Sequence, residues 1–153
     1  MIDKSIFNIN SIIIDTDFST QEQVFSHLSK YFVKNSYCTN YEEIKVGFFE
    51  REKEGSTAFT DGIGIPHSKV NSIIQPGIYV IKNKNGINWD SLDGKETNFF
   101  IALAIPNLDS NTLHLKMLSS VARKLVDKEF KKNILNAKTK EEIFELLSLI
   151  EII

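Results

Sequence analysis

Asn98-Phe99-Phe100-Ile101-Ala102-Leu103-Ala104-Ile105 is apolar from its second residue to its last. A strand solvated on one face alternates apolar and polar residues, so an unbroken apolar run of this length predicts a central strand buried on both faces. Two shorter segments, 63–65 and 77–82, are rich in β-branched residues, bounded by Gly, Pro, Asn and Asp, and read as further strands. A fourth opens the chain at Ser11-Ile12-Ile13-Ile14, closed by the turn-forming Asp15-Thr16-Asp17.

Helical signals alternate with these strands. Thr20 with Gln23 is a capping-box pair, and Val24, Phe25, Leu28, Phe32 and Val33 then recur at helical spacing up to Lys34. Asn40 with Glu43 opens a second helix with Ile44, Phe48 and Phe49 on one stripe, ending near Arg51 before Gly55. From Thr112 onward, Leu118, Val121, Ala122 and Leu125 mark one face of a third helix. A shorter helix follows at 129–136, and Thr139 with Glu142 caps the last. Without internal repeats or a linker, this interleaving predicts one α/β layered domain over 1–153, an α+β sandwich with a mixed central sheet and helices on both faces.

Composition narrows the classes of function. A chain of 153 residues with 42% hydrophobic and 25% charged residues is sized to bury one core. Its formal charge of −2 comes from interspersed acids and bases, which supplies no field for nucleic acid. The single cysteine, Cys38, has no partner for an internal disulfide, and the first residues, MIDKSIFNIN, lack the pattern of a signal peptide. The apolar run 99–106 is far shorter than the roughly 20 residues that cross a bilayer as a helix. A cytoplasmic protein without membrane insertion is expected.

Thr60-Asp61-Gly62-Ile63-Gly64-Ile65-Pro66-His67-Ser68 places a histidine just past a short strand flanked by glycines and stopped by proline. Pro66 lacks a ladder donor, so the chain is expected to leave the sheet there and hold His67 at a mouth instead of in a core. An imidazole with a pKa of about 6.5 keeps one ring nitrogen free at neutral pH while the other donates a hydrogen bond that orients the ring, which suits it to phosphoryl transfer. Taken alone, a histidine beside proline reads more commonly as a turn or structural residue than as a catalytic one. His114 falls in the first turn of the third helix, in register with its buried face through 118, 121 and 125. There the helix N-terminus favours an anion, although a partly buried histidine bonded to a carbonyl fits the same pattern. Arg51 carries a fork that matches a phosphoryl group, or is a solvated residue at a helix end. Three histidines without a close pair or a cysteine cluster lack metal-ligand spacing.

Arg51-Glu52-Lys53-Glu54-Gly55-Ser56-Thr57, then Gly62-Ile63-Gly64-Ile65-Pro66-His67, then His114-Leu115-Lys116-Met117-Leu118 with Leu125 and Asp127 together resemble a known family. These are the enzyme IIA domains of the fructose and mannitol class of the bacterial phosphoenolpyruvate-dependent sugar phosphotransferase system. Trp89-Asp90-Ser91-Leu92-Asp93-Gly94 looks more like the fructose branch. The resemblance implies a histidine phosphoryl carrier, with His67 phosphorylated, His114 supporting it and Arg51 steadying the group. It implies HPr as donor, an enzyme IIB as acceptor, and no metal or cofactor. A stand-alone regulatory phosphoprotein would share the same residues. Gly64 replaces the alanine usual in the family, and Ser68 replaces a smaller residue; Ser68 is expected to reach either the phosphoryl oxygens or the ring. Phe48, Phe49 and Phe59 are read either as apolar area around His67 for docking or as core residues, with the core the favoured reading for Phe48.

Overall fold

A computed structural model of the chain describes residues 2–107 and 111–152, with Asn111 and Leu113 described by their backbone. Positions 1 and 153 of the expected 1–153 domain lie outside the described residues. The elements run β1 (Ile12–Thr16), α1 (Gln21–Lys34), α2 (Tyr41–Lys53), β2 (Ile63–Gly64), β3 (His67–Val70), β4 (Gly77–Ile87), β5 (Thr97–Pro106), α3 (Asn111–Val126), α4 (Lys128–Asn136) and α5 (Lys140–Ser148).

Five strands form one mixed sheet in the order β1-β4-β5, with β2 and β3 lying one after the other along the free side of β5. β4 and β5 pair antiparallel, while β1 joins β4, and β2 and β3 join β5, in parallel. Alternation across the pleat then creates two cores. Ile78 and Val80 with Phe99, Ile101, Leu103 and Ile105 face Met117, Val121, Phe130, Ile134 and Ile143 of the three C-terminal helices. On the other face, Tyr79, Ile81, Phe100, Ala102 and Ala104 meet Val24, Phe25, Leu28, Phe32, Ile44 and Phe48 of α1 and α2. The two alanines leave room for that aromatic layer, in which Phe25 stacks on Phe48 at 5.2 Å. The α/β sandwich with helices on both faces is as the sequence predicts.

Helix starts follow the local signals closely. Thr20 and Gln23 form a reciprocal capping box, Asn40 accepts from the Glu43 amide, and Thr139 accepts from that of Glu142. The short fourth helix begins at Lys128 because the Asp127 carboxylate caps it. β1 differs from expectation by running through Asp15 to Thr16. Asp15 takes φ +60°, a left-handed value that aspartate tolerates, and makes a bulge instead of ending the strand.

The larger correction concerns Pro66. The chain does not leave the sheet there: β3 starts at once, with His67 opposite Leu103 on β5. Proline removes a donor but keeps its carbonyl, and Pro66 O accepts from Leu103 N at 3.0 Å, so the pairing is interrupted for a residue and then resumes. The outer side of this edge is covered. Segment 57–59 bridges to it through Ile65 N to Thr57 O (3.0 Å) and Phe59 N to Ile63 O (2.7 Å), and α2 packs over β3. Edge groups that would otherwise invite another strand are thereby satisfied.

Candidate functional site

His67 is the first residue of β3, packed under α2 and only 4% exposed, so it is far more deeply set than expected although it still lines a cavity. Its Nδ1 lies 3.0 Å from the carbonyl oxygen of Ile65, and its Nε2 lies 3.0 Å from Nε of Arg51. A carbonyl only accepts and a guanidinium only donates. The ring is therefore the Nδ1–H tautomer, with the Nε2 lone pair as its reactive position. Arg51 is placed by the last turn of α2, and its Nη1 donates to Gly55 O at 2.9 Å. Gly55 has φ +147°, where an L side chain is strained, and this turns its carbonyl back toward the helix end.

His114 enters from α3, with ring centroids 5.7 Å apart and 51° between planes. Its Nε2 is buried and, among the described residues, has no hydrogen-bond partner. An unmade bond at a buried ring nitrogen is costly, and here it leaves a donor or acceptor available beside His67. A cavity of about 620 Å³ opens at the pair, lined by His67, His114, Arg51, Lys69, Val46 and four glutamates, Glu42, Glu43, Glu50 and Glu54.

Burial is the chief reason that the His67 pKa is pushed down to about 4. The Ile65 carbonyl works against that, while Arg51 and His114 add to it. Burial also lowers the pKa of His114, with Lys69 and Arg51 contributing. Both rings are thus neutral at neutral pH, and His67 can act as nucleophile without first losing a proton.

The structure brings together His67, His114 and Arg51, which lie 63 positions apart at the extremes. It does not bring Phe49 or Phe59 to the site, and Phe48 lies in the core, the reading favoured for it. Phe48 is fully buried against Phe25, Phe49 makes an edge contact with Phe25 at 4.8 Å, and Phe59 lines a separate groove with Leu92 and Val126. The apolar side chains that line the cavity are instead Val46, 54% exposed, and Val70. Ser68 does not reach the ring either. Strand alternation turns it away from His67, and its hydroxyl donates to Ile44 O of α2 at 3.0 Å. At Gly64 an added Cβ would sit 3.3 Å from Thr97 Cγ2, so the position is tightly packed. Two functional groups invisible to sequence reasoning are the carbonyls of Ile65 and Gly55, because backbone atoms carry no residue identity to read. Among the described residues no group of three His, Cys, Asp or Glu side chains could hold a metal ion, and no helix is long and apolar enough to cross a membrane.

A mixed sheet between two helical layers holds a neutral, oriented histidine beside an arginine and a second histidine, an arrangement chemically suited to group transfer through an imidazole. The chain belongs to the family described as phosphoenolpyruvate-dependent sugar phosphotransferase system, EIIA 2, whose model matches residues 5–149. The family consists of phosphotransferase components that carry a phosphoryl group. The chain is 27% identical over 139 residues to the PTS system fructose-specific EIIABC component of Bacillus subtilis (strain 168), covering 91% of this chain and 22% of that protein. It therefore spans about a fifth of that relative's length. Among solved structures, nitrogen regulatory protein IIA-Ntr from Neisseria meningitidis superposes with a TM-score of 0.84 at 23% identity, covering 93% of this chain and 96% of that one. The IIA mannitol chain of an Escherichia coli complex with phosphorylated enzyme IIB gives 0.74 at 19% identity, covering 93% and 96%. Both share the fold.

Proposed function

We propose that this chain accepts a phosphoryl group from phosphorylated HPr on Nε2 of His67 and passes it to an enzyme IIB in sugar uptake, in a fructose-like branch. The observation that carries this reading is the ring itself: Nδ1–H is tied to Ile65 O, and Nε2 meets a cation beside an open cavity. In the transfer the Nε2 lone pair attacks phosphorus in line as the donor's P–N bond breaks, so one P–N bond replaces another. Arg51 has to swing off Nε2 to admit phosphorus, and its remaining N–H groups then face the equatorial oxygens. His114 Nε2, without a hydrogen-bond partner among the described residues, is the second group that can bond those oxygens. Docking would use the exposed Val46 and the glutamates of α2 that line the cavity, which favours partners with a basic rim around their reactive residue. The protein would act in the cytoplasm, where such partners reside.

A regulatory role, in which the phosphorylation state controls another protein, is supported by the likeness to a nitrogen regulatory protein over nearly the whole chain. Incubation with phosphoenolpyruvate, enzyme I and HPr, followed by intact mass measurement, tests the shared step. An acid-labile addition of one phosphoryl group that is lost in His67→Ala is expected. Onward transfer to an enzyme IIB then separates transport from regulation. No addition to the wild type, with a control carrier labelled in the same mixture, refutes both readings.

A further inference from the structure

Glu52, next to Arg51 in the chain, plays no part in the chemistry above. It is half-buried at the end of α2, where burial raises its pKa. Its two carboxylate oxygens are both engaged by one residue, Thr57: the backbone amide donates to Oε1 at 3.0 Å, and the hydroxyl donates to Oε2. Thr57 itself is 6% exposed. Its carbonyl accepts from Ile65 N at 3.0 Å, and Ile65 O is the group that accepts from His67 Nδ1. The turn closed by Glu52 and Thr57 also contains Gly55, whose carbonyl holds Arg51. Ser56 ties the same turn to Trp89 O at 2.7 Å.

We propose that Glu52 is a positioning residue. Through Thr57 it sets the turn 54–58, and that turn aims both the Ile65 carbonyl that orients the His67 ring and the Gly55 carbonyl that parks Arg51. This proposal rests on the phosphoryl-carrier reading for its consequence, although not for its geometry. A carboxylate is suited to the task because its two oxygens take two donors from one residue, which pins the turn more tightly than a single bond. Glutamine keeps one carbonyl oxygen for the Thr57 amide and an NH₂ group that can donate to the oxygen of a rotated Thr57 hydroxyl, so shape and bonding survive without the charge. Alanine removes both bonds.

The test compares wild type, Glu52→Ala, Glu52→Gln and Thr57→Val by ¹⁵N NMR of the His67 ring and by the rate of phosphoryl uptake from HPr. A melting curve confirms that each variant is folded at the assay temperature. In the wild type a single Nδ1–H tautomer with an exchange-protected Nδ1 proton is expected. Glu52→Ala should lose that protection and slow uptake by about 10- to 100-fold, the scale of an ångström-sized misplacement. Glu52→Gln should stay within about threefold of wild type on the same scale, and Thr57→Val should fall between them. If Glu52→Ala fails to fold, Thr57→Val, which keeps the amide bond, carries the test. A protected Nδ1 proton and near-wild-type uptake in Glu52→Ala overturn the proposal, as does equal slowing in the alanine and glutamine variants with the ring signals unmoved. If the wild type takes no phosphoryl group, the carrier reading fails, and the ring signals decide the positioning role by themselves.

Discussion

Lowering the pH provides the sharpest perturbation of the His67 site. Burial, with Arg51 and His114 adding to it, brings the His67 pKa from 6.5 to about 4. At pH 5.5 an ordinary histidine is only about one-tenth neutral, whereas a group with a pKa near 4 is almost wholly neutral. Phosphoryl uptake should therefore hold roughly constant from pH 8 to about pH 5 and decline only toward pH 4, an advantage of about tenfold at pH 5.5 over an unshifted ring. The same shift enters stability with a defined sign. Between the two pKa values the unfolded chain binds a proton that the folded chain refuses, so the contribution of His67 is full above pH 6.5, falls as pH drops, and is gone near pH 4. The span corresponds to about 3 kcal/mol as an order of magnitude. An NMR titration that follows the His67 ring carbons separates this from titration of the donor's own histidine. A His67 midpoint at or above 6 would refute the argument, because it would mean that the ring is solvated or stabilised as a cation. Arg51→Ala should move the midpoint up, since it removes a nearby cation and opens the ring to water.

Two stability predictions test the packing that holds the site. A Cβ on Gly47 would overlap Ser68 Oγ and lie 2.8 Å from Val70 Cγ1, so Gly47→Ala should destabilise by about 1–3 kcal/mol in urea titrations even though alanine favours helix. Ser68→Ala in that background should restore part of the loss, and strictly additive effects would argue against the contact. Phe48→Ala, at a fully buried ring stacked on Phe25, should cost about 3–5 kcal/mol by the same titrations; a loss below 1 kcal/mol would show that the aromatic layer collapses freely around the gap.

Much of this molecule is written locally. Thr20, Asn40 and Thr139 cap the helices that their side chains announce, because a cap bonds an amide only two or three residues away. The apolar run in β5 forecasts a strand covered on both faces, since burial on both sides demands apolar residues at every step. His67, His114 and Arg51 are legible as chemistry-bearing types at suggestive places, and the resemblance to a family joins them. Their meeting is not legible, because it depends on how α2, β3 and α3 pack.

Pro66 shows where local reading runs out. Proline predicts an end to pairing, yet Leu103, far along the chain, supplies the donor that its carbonyl needs, and β3 continues. The depth of His67 follows from that continuation, since α2 covers the strand that resumes. The same holds for the ring's orientation, set by the Ile65 carbonyl, for the placement of Arg51 by the Gly55 carbonyl, and for the cavity lining, where Val46 and Val70 stand instead of Phe49 and Phe59. By itself the sequence determined which residues could perform the chemistry, and the helices and strands other than β3, because those properties reside in side chains and near neighbours. Only the tertiary structure decided which nitrogen is free, how neutral the ring is and what surrounds it, because hydrogen bonding and desolvation at a point are set by groups brought there from distant parts of the chain.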